Sequence, residues 1–207
     1  MNSEELNIKD NIFTIPNVLS VIRILLSPLF VYLFLINNVT LKKISLAIFF
    51  FAVLTDWYDG LYARKYKSIS KLGIFLDPLA DKVLTSFAFL LFFIKGMMPL
   101  WMVLIIALRD IIITVLRSYD EYRGLTIKTS GVAKVKTFVQ MTYIFFILAL
   151  FLYSKLIIDI NLQNYLNEFI YRSVYNYILM LFITTLTLYT GISYFFEKKY
   201  HANNEIY

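Results

Sequence analysis

The segment TDWYDGLYARKYKSISKLGIFLDPLADK, residues 55–82, holds four of the eight aspartates in the chain: Asp56, Asp59, Asp77 and Asp81. Apolar runs flank it, ISLAIFFFAVL at 44–54 and VLTSFAFLLFFI at 83–94. Asp56 and Asp59 are three residues apart, and Asp77 and Asp81 are four apart. On helices both spacings put a pair on one face, with Cβ atoms ~5–6 Å apart. An ionised aspartate in a spanning segment costs at least ~2.5–3.5 kcal/mol, and four together repel one another. Divalent cations offset both costs. Oxygen-only ligands suit Mg²⁺, Mn²⁺ or Ca²⁺ rather than copper or zinc. Mg²⁺ commonly completes its shell with water and substrate phosphates, so the cluster predicts a phosphate-bearing substrate. Two other readings stay open on the carboxylates alone: helix-end salt bridges with Arg64, Lys65 and Lys82, or a cation pathway.

The rest of the chain sets the scene for that cluster. Of 207 residues, 59% are hydrophobic and 16% charged, with 18% aromatic; ordinary soluble domains are ~45–50% apolar and ~25% charged. This composition predicts an all-α, polytopic membrane protein forming one domain over residues 1–207. No cysteine is present and the single histidine, His201, sits in a polar tail, which excludes disulfides and thiolate sites and argues against zinc. The polar, acidic start MNSEELNIKDNIFTIPN is unlike a signal peptide.

Six stretches are long and apolar enough to be read as spanning helices: Val18–Ile36, Ile44–Ala63, Phe75–Ile94, Pro99–Leu116, Thr137–Tyr153 and Val174–Phe196. Ile8, Ile12 and Ile15 share one helical face, the basis for an N-terminal interfacial helix over residues 3–15, although Pro16 disfavours helix at Ile15. The segment 154–173 reads as a long loop. Lys and Arg concentrate on one side: Lys9, Arg64, Lys65, Lys67, Lys71, Arg117, Arg123, Lys128, Lys134, Lys136, Lys198 and Lys199, against Lys42, Lys43, Lys95, Lys155 and Arg172 on the other. Basic loops favour the cytoplasm, so both termini and the Asp cluster are expected there, in the cell's inner, cytoplasmic membrane. The net charge of +6 then suits an anionic leaflet, and no nucleic-acid partner is expected.

Small residues accompany the carboxylates. Gly60 follows Asp59, Ala63 lies a turn further on, and Gly73 lies four before Asp77. They leave room for a flat ligand or, equally, for close helix packing. Arg64 offers a planar fork to a phosphate or snorkels at the interface. Arg109 lies inside the apolar run MVLIIALRDIIITVLR, where a salt bridge with Asp110 or with the Asp cluster would pair it.

The pattern Asp-x2-Asp-Gly-x2-Ala-Arg-x8-Gly-x3-Asp-x3-Asp, formed by Asp56, Asp59, Gly60, Ala63, Arg64, Gly73, Asp77 and Asp81, resembles the motif of the CDP-alcohol phosphatidyltransferases. Eight fixed positions at about one in twenty each match by chance on the order of 10⁻¹⁰ per start site. IPNVLSVIRILLSPLFVYLF, LGIFLDPLADKVL and GVAKVKTFVQM are similar to the phosphatidylglycerophosphate synthase branch, as is Arg109 followed by an acid, here Asp110 where relatives commonly carry Glu. The likeness covers about residues 15–145; beyond that only hydropathy agrees.

The resemblance implies a six-helix, usually dimeric membrane fold. It implies CDP-diacylglycerol as donor, with glycerol 3-phosphate attacking its β-phosphorus and CMP leaving. Asp56, Asp59, Asp77 and Asp81 would hold two Mg²⁺ or Mn²⁺ ions, and Asp81 would also serve as base. Gly60, Ala63, Arg64 and Gly73 would receive the nucleotide. Arg109, Arg117, Lys134 and Lys136 are the candidates for the acceptor phosphate, with Asn17 and Arg23 behind them. Phosphatidylglycerol, inositol phosphate or serine as acceptor, or a cation transporter, are the competing readings.

Overall fold

The computed structural model describes residues 14–66, 73–123 and 131–204; for Ile15, residues 56–66 and residues 197–204 only the backbone is described. Seven helices make up the described chain: α1 Ile15–Leu35, α2 Val39–Tyr66, α3 Gly73–Ile94, α4 Leu100–Tyr122, α5 Gly131–Leu156, α6 Ile160–Arg172 and α7 Val174–Asn204. Six of them correspond to the six expected spans. The interfacial helix expected over residues 3–15 falls outside the described residues except at its last two positions. There Thr14 caps α1, its side chain accepting from the Asn17 N–H at 3.4 Å. Ile15 is already helical: Pro16 stands in the first turn, where its missing N–H has no intrahelical partner to lose.

Local chemistry sets the other helix ends. Asn38 Oδ1 accepts from the Thr40 and Leu41 N–H groups at 2.8 and 3.2 Å, starting α2. Gly96, at φ +70°, closes α3: its N–H donates to Phe93 O and the Met97 N–H to Phe92 O, both at 2.8 Å. This is the paired C-terminal arrangement that a left-handed glycine permits. The stretch read as a loop at 154–173 is corrected here. It holds α6, capped by Asp159, which accepts from Asn161 N and Leu162 N. Leu162, Leu166 and Ile170 recur every four residues, and Leu166 and Ile170 are buried against the bundle. Asn176 then ties α6 to α7 and α5, donating to Ile170 O at 2.7 Å and accepting from Tyr143 Oη at 2.9 Å.

Among the described residues α1 packs along both α2 and α3, which meet each other over a shorter stretch; α4 lies between α3 and α7, and α5 contacts α6 and α7. The core is aromatic. Phe30 stacks near Phe49 and Phe34 near Phe151, each pair with centroids 5.0 Å apart, and Phe145 joins Phe49 at 5.2 Å. The outer surface is also apolar: Leu25, Tyr32, Phe51, Phe138 and Phe182 are all more than half exposed. A surface of this kind faces lipid. By length and composition three described segments can cross a bilayer, Pro16–Leu35, Gly131–Leu156 and Ile160–Phe196, the last spanning α6 and most of α7. The chain is thus a polytopic helical membrane protein, and buried charge enters it on several helices, as Arg23 on α1, Asp110 on α4 and Lys136 on α5.

Candidate active site

The Asp pairs lie at the C-terminal end of α2 and the N-terminal end of α3. Asp56, Asp59, Gly60, Ala63 and Arg64 are on α2, and their side chains lie outside the described residues. Gly73 opens α3 and is buried. Asp77, one turn on, accepts a hydrogen bond from Ser20 Oγ at 2.6 Å. This bond joins α1 to the acid-bearing turn of α3, and Ser20 was not singled out by its sequence. The Asp81 carboxylate pairs with the neighbouring Lys82 ammonium at 3.0 Å. Arg23 is buried and donates from Nε to the Ala52 carbonyl at 3.1 Å, bracing α1 against α2; Asn17 is buried as well.

A cavity of about 540 Å³ opens beside Asp81. Its cationic walls are Lys82 from α3, Arg109 and Arg117 from α4, and Lys134 and Lys136 from α5; Asp81 and Glu121 are its acids. The four residues expected to meet an acceptor phosphate are therefore gathered in one space with one of the four motif aspartates. Arg109 and Arg117 are eight apart on α4, two turns along one face.

Beneath the cavity the buried Asp110 organises two of these cations. The Lys136 ammonium donates to both of its carboxylate oxygens, and Arg109 Nη1 donates to Oδ1 at 3.0 Å. The salt bridge weighed for Arg109 is thus present, and the guanidinium still lines the cavity. Its Nε, like that of Arg117, is buried with no hydrogen-bond partner among the described residues. Two unpaired guanidinium N–H groups are costly to bury.

α7 completes the wall, and its role was not visible from the motif. Gly191 packs directly on Arg109: a Cβ there would lie 3.0 Å from Nε and 3.1 Å from Cγ. Tyr194 stands 6.0 Å beneath the Arg117 guanidinium, measured to the ring centroid, and donates its hydroxyl to the buried Asp120 carboxylate at 2.9 Å. Thr190 and Ser193 also reach the cavity.

A family profile described as CDP-alcohol phosphatidyltransferase matches residues 13–189. The chain belongs to this family. The match runs beyond residue 145, where the motif-based likeness stopped, and takes in α6 and half of α7. Curated relatives agree. A Rickettsia typhi protein named CDP-diacylglycerol–glycerol-3-phosphate 3-phosphatidyltransferase is 32% identical over 181 residues, 87% of this chain and 94% of its own. Proteins of the same name from Rickettsia felis (33% over 187 residues, 90% and 96%) and Pectobacterium atrosepticum (38% over 141 residues, 66% and 77%) are also similar. A phosphatidyltransferase of this family is an enzyme that acts on phospholipid precursors at a membrane, in keeping with the apolar exterior.

Proposed function

We propose that the chain transfers the phosphatidyl group of CDP-diacylglycerol to glycerol 3-phosphate, forming phosphatidylglycerophosphate and CMP. The observation that carries the acceptor is the cavity beside Asp81, with its five cations and two unpaired guanidinium N–H groups. A phosphate dianion matches that surplus of charge. A zwitterion such as serine brings an ammonium group that the five cations would repel.

In this reading a glycerol 3-phosphate hydroxyl oxygen bonds to the donor's β-phosphorus while the bond to the oxygen bridging the α-phosphate breaks. CMP leaves with that oxygen, and Asp81 takes the hydroxyl proton. Arg109, Arg117 and Lys134 hold the acceptor phosphate, Arg109 and Arg117 through the Nε groups that otherwise lack partners. Lys136, clamped by Asp110, keeps the floor of the cavity positive.

The carboxylates of Asp56, Asp59, Asp77 and Asp81 would hold two Mg²⁺ or Mn²⁺ ions, which stabilise the charge that builds on the transferred phosphoryl and the leaving CMP. The donor set fits hard cations, since the four motif side chains are carboxylates and the Ser20 hydroxyl stands 2.6 Å from Asp77, while the Lys82 ammonium now paired with Asp81 would have to yield to an ion. Gly60, Ala63, Arg64 and Gly73 would seat the cytidine and its phosphates. The whole chain serves as one membrane domain with the site and both termini toward the cytoplasm of the cell membrane, as the basic bias supports, and works as a homodimer by family resemblance.

The test is CMP release by the purified protein in detergent, with CDP-diacylglycerol and labelled glycerol 3-phosphate, with and without Mg²⁺. Release that requires all three and yields labelled phosphatidylglycerophosphate is expected. Release with serine, inositol phosphate or phosphatidylglycerol but not with glycerol 3-phosphate overturns the acceptor. Ion flux without CMP release would point to a transporter instead.

A further inference from the structure

The carboxylates gather at the end of α2 and the start of α3. The opposite end of the bundle, at the start of α2 and the ends of α3 and α5, has the reverse charge. Three lysines lie at this end, Lys42 on the first turn of α2, Lys95 just after α3 and Lys155 in the last turn of α5, and the charges of Lys95 and Lys155 act on Lys42. Lys42 and Lys155 both face the Phe151 ring, with Nζ 6.0 and 5.7 Å from its centroid. Lys42 is only 4% exposed, and its ammonium has one long contact, 3.5 Å to Asn37 Oδ1. None of the three has an acid within ion-pair distance among the described residues.

A covered ammonium needs a counter-charge, and one aromatic ring cannot supply it to two lysines. Lys42 precedes the apolar span that starts at Ile44. Burial, then Lys95, then Lys155 push its amine below the ordinary lysine range, as expected of a cation whose anion is missing. The rim shows in what form that anion arrives. Val39, Ile94, Leu156 and Ile158 are exposed aliphatic side chains around the same end. Such a rim suits an anion that carries hydrocarbon.

We propose that Lys42 and Lys155, set around Phe151, form together with Lys95 a phosphate-binding site for the headgroup of an anionic phospholipid, at the end of the bundle away from the carboxylates. The site is independent of the acceptor reading above. Its ligand chemistry, a phosphate ester anion, could also come from free phosphate. The exposed aliphatic rim favours the lipid.

The full chain, purified from vesicles of phosphatidylcholine mixed with phosphatidylglycerol, is examined by native mass spectrometry for retained lipid. Retention of phosphatidylglycerol in excess of its share in the vesicles is expected. Replacing two lysines, Lys42→Gln with Lys155→Gln, weakens it about 30-fold, the equivalent of ~1 kcal/mol per basic residue, while CMP release stays unchanged. Arg109→Gln, at the other end, leaves this retention in place. Lys95→Gln with Lys155→Gln, both at less covered positions, repeats the test if the first pair fails to fold. Loss of retention on adding inorganic phosphate supports the anion site and assigns it to free phosphate as well as lipid; resistance to phosphate assigns it to the headgroup alone. Equal retention in wild type and both lysine pairs, or no preference for the anionic lipid, overturns the proposal.

Discussion

Gly191→Ala is the most informative single change. The new methyl carbon would stand 3.0 Å from Arg109 Nε and 3.1 Å from Cγ. Ordinary carbon contacts settle at ~3.5–4.0 Å, so the Arg109 side chain must give way by a few tenths of an ångström. Its Nη1 is tied to Asp110 at 3.0 Å, which limits the retreat to the part of the side chain facing the cavity. A charged hydrogen bond is worth ~1.5–3 kcal/mol. Partial loss of one such bond predicts a fall of roughly 10- to 100-fold in kcat/KM for glycerol 3-phosphate, or about 1.4–2.7 kcal/mol. KM for CDP-diacylglycerol should not move. The same change favours the α7 helix by up to ~1 kcal/mol, so the variant should unfold no more easily than the wild type. Initial rates of CMP release over a range of glycerol 3-phosphate, at saturating donor, measure the effect. Because Gly191 acts only through Arg109, it should cost little in an Arg109→Gln background, by the logic of a double-mutant cycle. An equal loss in both backgrounds, or no loss in either, would refute the contact as the cause.

Other perturbations separate the remaining parts of the site. Asp81→Asn should abolish turnover while largely sparing donor binding, measured by retention of a CDP-diacylglycerol analogue; near-normal turnover removes the proposed base. Chelation with EDTA should stop CMP release, and Mg²⁺ or Mn²⁺ should restore it; activity that survives exhaustive chelation rules out the two-ion reading. Lys136→Met leaves the buried Asp110 with Arg109 alone, and breaking a buried pair typically costs ~3–5 kcal/mol. The variant should lose thermal stability in detergent, and Asp110→Asn combined with Lys136→Met should recover part of it. Tyr194→Phe removes the hydroxyl that Asp120 accepts from at 2.9 Å. It should raise KM for glycerol 3-phosphate severalfold through Arg117 and leave KM for the donor unchanged, as kinetics with each substrate varied in turn will show.

Much of this architecture is legible in the amino-acid sequence, for physical reasons. Long apolar runs have few other structures open to them in a bilayer, so six helices could be placed from hydropathy with their ends within several residues. Charges inside those runs are expensive, which is why Asp56, Asp59, Asp77, Asp81 and Arg109 stood out. The helix α6 was missed because its composition is mixed and its apolar face is only one stripe wide. Asp159 as a cap, with Leu162, Leu166 and Ile170 at four-residue intervals, was the available signal. Pro16 crowds Ile15 and disfavours helix there, yet the Thr14 cap, accepting from the Asn17 N–H, holds Ile15 in the first turn of α1. The contacts around the acceptor cavity are of another kind. Asp110 meets Lys136 across 26 residues and Tyr194 meets Asp120 across 74. No local period records such pairings.

On the proposed reading, that division separates the donor side of the site from the acceptor side. The residues proposed to face the donor lie close together in sequence, at the end of α2 and the start of α3, so their relative positions are set almost locally. The acceptor side is assembled from three helices distant in sequence: α4 supplies the guanidinium groups, α5 the ammonium groups and α7 the surfaces that hold the guanidiniums in place. On that reading, a side chain at Gly191, or loss of the Tyr194 hydroxyl, would reshape the pocket without changing any of the four motif aspartates. On the proposed reading, acceptor preference therefore depends on α7, which lines the cavity with Thr190, Ser193 and Tyr194 and packs on Arg109 and Arg117, as well as on the cations themselves.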